Sequence, residues 1–159
     1  MPKKEEKTNV MRLLTQAGIA YTAHTYDPNG PTDGVSVARI LGQDAERVFK
    51  TLVTRGASGA YYVFDIPVAE SLDLKKAARA VGEKSVAMIA QKELLPLTGY
   101  VHGGCSPVGM KKPLSTVFHE TVLLYDTVCV SAGKIGVQVE CKPEGLLSYL
   151  GARTADITE

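Results

Sequence analysis

One lysine stands in the middle of an apolar run, Val48-Phe49-Lys50-Thr51-Leu52-Val53. An ammonium group taken out of water costs several kcal/mol unless it is paired or hydrogen-bonded. Lys50 therefore has a partner, opens into a cleft, or snorkels out to solvent. If the run is a strand, Val48, Lys50 and Leu52 share one face and Phe49, Thr51 and Val53 the other, so the lysine has apolar neighbours either way. A lysine that guards an edge strand against aggregation fits the same pattern. The stretch alone does not choose between guard and functional group.

The second chemical feature is the run Gly103-Gly104-Cys105-Ser106-Pro107-Val108-Gly109-Met110-Lys111-Lys112-Pro113, too rich in glycine and proline for a helix or a regular strand. Its backbone amides are free to turn toward a carbonyl oxygen or a phosphate, and Lys111 and Lys112 would place two ammonium groups beside a phosphate held there. A second glycine-bearing loop, Ala132-Gly133-Lys134-Ile135-Gly136, has the same capacity. Neither has the spacing of a P-loop or a dinucleotide fingerprint, and structural turns are glycine's default use. Cys105, three residues after His102, suggests a thiol nucleophile with a base, but no third orienting group is evident. The three histidines and three cysteines lack paired ligand spacings, so no metal centre is expected.

Composition narrows the classes. A net charge of +1 on 159 residues excludes a strongly basic protein that coats nucleic acid, while leaving room for a local basic patch. A chain of this length is one ordinary domain that buries about 70% of its unfolded surface without staples. Three cysteines cannot all pair, which points to reduced thiols. The first residues lack the apolar core of a signal peptide, and no run has the roughly 18 apolar residues of a membrane span. A cytoplasmic protein is expected, with residues 1–7 a disordered tail and residues 8–159 the domain.

The elements that must position these groups follow from local signals. Thr8 or Asn9 caps a helix ending at Gly18, and residues 19–26 read as a strand running into an exposed, turn-rich loop over 27–34. Ser36 caps a helix through Leu41, and a helical turn over 44–48 leads into the lysine strand. Gly56-Ala57-Ser58-Gly59 turns that strand into another over 60–66, making an antiparallel pair. Asp73 caps a helix over 74–81 stopped by Gly82, residues 85–89 form a short strand, and a helix over 91–95 halts near Pro96 and Gly99. Strands follow over 116–119, 127–131 and 135–141, with 120–125 undecided and Ala132-Gly133-Lys134 as the tight turn. Pro143 opens a last helix stopped by Gly151, and 155–157 adds a short strand. Seven strands and five short helices, joined mainly by hairpin-like turns, predict an α/β (α+β) domain: a mixed, mostly antiparallel, barrel-like sheet with helices packed outside.

These residues resemble the YbaK-type aminoacyl-tRNA deacylases, relatives of the editing domain inserted in bacterial prolyl-tRNA synthetases. The matching pieces are His24-Thr25-Tyr26, Val48-Phe49-Lys50-Thr51-Leu52, Leu72-Asp73-Leu74-Lys75-Lys76, Thr98-Gly99-Tyr100, the glycine loop through Lys112, and Ser131-Ala132-Gly133-Lys134, in family order along the chain. The resemblance implies that Lys50 points into a substrate pocket. It implies removal of cysteine from mischarged proline tRNA, without metal or redox cofactor, by a trans-editing enzyme that works beside prolyl-tRNA synthetase and has no role on DNA or membranes. The substrate's own thiol would attack its ester carbonyl and leave as a thiolactone, so Cys105 need not be catalytic. Lys50 and Gly103 would be the catalytic groups, and Tyr26, Thr51, Gly104, Ser106, Ser131 and Gln138 would hold the aminoacyl end. Lys111, Lys112 and Lys134 would meet the tRNA.

The chain departs from the family pattern at Lys134-Ile135-Gly136-Val137-Gln138, where relatives have an arginine after the lysine and an aspartate at the last position. Gln138 still hydrogen-bonds but cannot neutralise an α-ammonium group. Editing of alanine or serine by the same site is one alternative. A noncatalytic tRNA-binding or regulatory module and a thiol hydrolase using Cys105 are alternatives of other classes.

Overall fold

Local signals determine most of the elements in the computed structural model, which describes residues 7–159. Of the tail expected over 1–7, all but Lys7 lies outside those residues. Thr8 caps α1 (Asn9–Gln16) by accepting the Met11 N–H, and Asp73 caps α3 (Leu74–Val81), which Gly82 ends in the left-handed conformation. Between them come β1 (Tyr21–Thr25), α2 (Gly34–Ile40), a 3-10 turn (Ala45–Arg47), β2 (Phe49–Gly56) and β3 (Tyr61–Pro67). The chain continues through β4 (Val86–Met88), α4 (Gln91–Thr98), β5 (Ser115–His119), a 3-10 turn (Glu120–Leu124), β6 (Val128–Lys134), β7 (Val137–Cys141), α5 (Pro143–Leu150) and β8 (Arg153–Ala155).

The strands form two sheets. β1, β7 and β6 make a small antiparallel sheet, and β4-β2-β3-β5-β8 make a larger mixed one whose β3–β5 and β5–β8 pairs are parallel. The mixed α/β domain with helices packed outside agrees with the sequence pattern, the barrel-like sheet taking the form of two sheets. The described strands do not close, and the two sheets are linked at a single parallel bridge between Val48 and Cys129. The apolar face of the small sheet packs Val130, Val139 and Cys141 against α1, α5, Phe49 and Phe118, while the far face of the large sheet packs Phe64, Ile66 and Val117 against Ala77 and Ala78 of α3.

Four local readings differ from the structure. The cap of α2 is Asp33, which accepts the Ser36 N–H, rather than Ser36 itself. Pro96 lies inside α4, which runs on to Thr98 and ends at Gly99 in the left-handed conformation; Pro96 is exposed, where water can satisfy the carbonyl that loses its donor. Ala132-Gly133-Lys134 belongs to a register shift in β6 rather than to the turn, which falls at Ile135 and Gly136. The last strand lies two residues earlier than expected, at Arg153–Ala155.

Phe118 joins the two halves of the interior. It is fully buried, and its ring centroid lies 5.8 Å from that of Phe49, which precedes Lys50 on β2. Phe118→Ala should cost about 3–5 kcal/mol, read as a lower urea midpoint at unchanged m-value.

Candidate active site

The cleft lies where the two sheets part. Five consecutive residues of the chain, Val48 to Leu52, border it. Successive side chains of a strand point to opposite faces, so one cleft can touch all five only along the strand's edge. That edge is open. On the side away from β3, β2 meets Cys129 at Val48 and β4 only from Thr54 onward. The Val53 carbonyl is turned to this side, where it accepts the Ile89 N–H, and backbone groups alternate along a strand. Thr51 therefore turns its own N–H and C=O toward the cleft.

The cavity measures about 340 Å³. It gathers Tyr26 from the end of β1, Lys50 and Thr51 from β2, Gly103 from the glycine loop, Ser131 from β6 and Gln138 from β7, with Gly34, Val35 and Val37 of α2 also lining it. Lys50 is half-buried, and desolvation lowers its affinity for a proton, offset in part by Glu70. Ser131 is steered by the β6 irregularity, its hydroxyl accepting the Gly133 N–H at 3.3 Å. Gln138 is buried, and its Oε1 accepts Gln43 Nε2 at 2.5 Å.

Several expected residues lie elsewhere. Gly104 does not border the cleft. Its N–H is spent on the Val101 carbonyl, and a Cβ there would stand 3.1 Å from Ile135 N, so the position packs the loop onto the β6–β7 turn. Ser106 is fully buried, and its hydroxyl accepts the Val108 N–H inside the loop. Lys111, Lys112 and Lys134 are exposed and do not border the cleft. The loop itself is pinned by Tyr100 Oη, which donates to the Val108 carbonyl at 2.5 Å, and by Lys111 N, which donates to the Thr98 carbonyl at 2.9 Å.

Cys105 and His102 both reach the cleft. Burial first, and the nearby Asp65 second, push the Cys105 thiol up to about 12. A thiol held there is a poor source of thiolate. His24, Cys129 and Glu140 bring one ligand atom each within 4.8 Å of one another, a grouping the sequence spacing hides. Both Glu140 oxygens are already engaged. His24 Nε2 lies 2.7 Å from Oε1, while Arg47 Nη2 at 2.9 Å and the Thr127 hydroxyl bind Oε2. With a guanidinium inside it, the cluster is an ion-pair network. The Thr127 hydroxyl, and then His24, hold the Glu140 carboxyl below its usual range.

Sequence reasoning passed over Asp65. It lies on β3 opposite Thr51, shares a 2.6 Å hydrogen bond with the Thr51 hydroxyl, and is completely buried. The signal was a single acid inside an otherwise apolar and aromatic strand. Burial pushes this carboxyl from its ordinary 3.8 up to about 8. As pH rises, the unfolded chain therefore releases this proton first, so its contribution to stability falls from about pH 4 to about pH 8 and is flat above. The slope is up to about 1.4 kcal/mol per pH unit. Asp65→Asn should remove that limb and raise the urea midpoint most at about pH 8, measured as the difference from wild type at several pH values.

Residues 30–149 match the family described as the aminoacyl-tRNA editing domain. A protein of Enterococcus faecalis provisionally named Cys-tRNA(Pro)/Cys-tRNA(Cys) deacylase EbsC is 43% identical over 157 residues, covering 98% of this chain and 96% of the relative. A crystal structure described provisionally as a trans-editing enzyme for prolyl tRNA synthetase has 29% identity and a TM-score of 0.84 over 94% of each chain. A hypothetical protein of known structure has 25% identity and a TM-score of 0.86, over 97% of this chain and 100% of the other. With the family match spanning most of the sequence and a relative at 43% identity along nearly its whole length, the chain belongs to the aminoacyl-tRNA editing domain family.

Proposed function

We propose that this protein is a trans-editing deacylase that removes cysteine from mischarged Cys-tRNA(Pro) by positioning the substrate to cleave itself. The observation that carries this reading is the composition of the cleft: a lysine, a glycine loop, hydroxyls and an amide converge on an open strand edge, while the thiol among them is pushed up to about 12. Such a site orients and polarises rather than attacks. The substrate's sulfur would attack its own ester carbonyl carbon, the bond to the ribose oxygen would break, the thiol proton would pass to that oxygen, and a thiolactone would leave. Holding sulfur and carbonyl in attack geometry supplies effective molarities on the order of 10⁵–10⁸ M.

Each residue then has a task. The Gly103 amide donates to the developing oxyanion, a contribution of roughly 2.7–4 kcal/mol for a well-aimed donor. Lys50 holds the departing ribose oxygen or the terminal phosphate. Tyr26, Thr51, Ser131 and Gln138 shape and hydrogen-bond the aminoacyl end. Lys111, Lys112 and Lys134, exposed outside the cleft, meet the acceptor stem. With a net charge of +1 the chain has little general grip on RNA, and prolyl-tRNA synthetase is the partner that would present the tRNA.

Lys50→Ala should lower single-turnover deacylation of Cys-tRNA(Pro) by about 10²–10³-fold with the melting curve retained, and a wild-type rate in that variant would sink the role given to Lys50. Cys105→Ser should stay active, whereas a thiol hydrolase would lose all turnover. Alanine- and serine-charged proline tRNA, assayed with and without the synthetase, test the amino-acid choice and the partner. Salt-sensitive tRNA binding without turnover of any of them would replace the enzyme reading with that of a binding module.

A further inference from the structure

Asp65 occupies the middle of β3, a strand otherwise built from apolar and aromatic residues, and is sealed from solvent. A carboxyl group buried without a cation costs several kcal/mol, so such a position normally holds valine or isoleucine. Here Oδ1 lies 2.6 Å from Thr51 Oγ1, and Oδ2 has no partner among the described residues. From the glycine loop the facing titratable group is the Cys105 thiol, which Asp65 pushes up. From β5 the register neighbour is the apolar Phe118. Lys50, one residue along β2 from Thr51, belongs to the opposite face. Among the described residues the buried carboxyl thus has one hydrogen-bond partner, and that partner is the hydroxyl of Thr51, a residue that borders the cleft.

The protonation state of Asp65 decides which way that hydroxyl points. A hydroxyl has one hydrogen and two lone pairs. Beside a carboxylate, the pair's only hydrogen belongs to Thr51 and is drawn to Asp65, so the cleft meets lone pairs. Beside a neutral carboxyl, a second hydrogen bridges from Asp65 to Thr51 Oγ1 and releases the Thr51 O–H toward the cleft. We propose that Asp65 is a positioning residue for deacylation, donating its carboxyl hydrogen to Thr51 Oγ1 so that the Thr51 O–H donates to an oxygen of the bound aminoacyl ester. The assignment rests on the editing reading above. Burial pushes Asp65 up to about 8, so the neutral form prevails at neutral pH and is lost in mild alkali.

The test compares single-turnover deacylation of Cys-tRNA(Pro) by wild type, Asp65→Asn and Asp65→Val between about pH 7 and about pH 9, with melting curves at each pH. The asparagine amide donates to Thr51 at every pH. Ionisation of the substrate thiol and the intrinsic lability of the ester act on all three proteins and cancel in the ratio. The ratio of Asp65→Asn to wild type should rise about tenfold across this range, the loss of neutral carboxyl expected for a group titrating near the middle of it. Asp65→Val, folded and at least as stable, should be slower than Asp65→Asn throughout. A ratio that stays flat with pH, or an Asp65→Val as fast as Asp65→Asn, overturns the role of Asp65 while leaving editing intact. Absence of turnover by wild type overturns both.

Discussion

The bridge between Val48 and Cys129, the single one between the sheets among the described residues, is the constraint on which the rest depends. An exposed strand edge is ordinarily a hazard, since its unpaired N–H and C=O groups can template association. Here the edge is neither paired nor left bare. Among the described residues the sheets share one backbone bridge and part beyond it, so the next residues of β2 face a walled cleft instead of bulk solvent. Lys50 lies at the start of that opening, which α2 and the glycine loop also line. An edge-strand position and a cleft-lining position, which look like rival explanations of one lysine, coincide in this fold.

The polar face of the small sheet explains how the junction is held. His24, Gln138, Glu140, Cys129 and Ser131 share that face by register. Arg47, in the turn just before β2, reaches Glu140 and Thr127, while Gln43 reaches Gln138. Charge-assisted bonds to a partly buried carboxylate are stronger than neutral ones. They fasten the approach to β2 onto the small sheet at the end where the cleft begins. The ion-pair network and the polar lining of the cleft are therefore two lengths of one polar row, the first closed on itself and the second facing the cleft.

What the sequence made legible was what depends on neighbours in sequence. The Asp73 cap and Gly82 stop of α3 are fixed within a few residues, as is the β2–β3 hairpin around Gly56 and Gly59. Lys50, Thr51, Tyr26, Gly103, Ser131 and Gln138 were singled out from their types and from a family resemblance, and they do border one cleft. Two separate sheets were not legible, because the Val48–Cys129 link joins segments far apart in the chain. Gly104 and Ser106 were singled out through the family resemblance of the whole loop, yet the loop spends them on its own packing. Asp65 was missed for the opposite reason: a lone acid in a strand is normally read as a solvent-facing residue, and only the register with Thr51 reveals it as interior.

Gly104 has a mechanical consequence. Its Cα rests against the backbone of Lys134 and Ile135 so closely that even a methyl group would have to displace main chain, while Tyr100 and Thr98 hold the same loop from behind. The loop and the hairpin turn thus share one rigid seat, with the hydrogen of a glycine as its shim. The loop that brings Gly103 to the cleft is therefore seated by a contact between main chains, at a position that does not itself line the cleft.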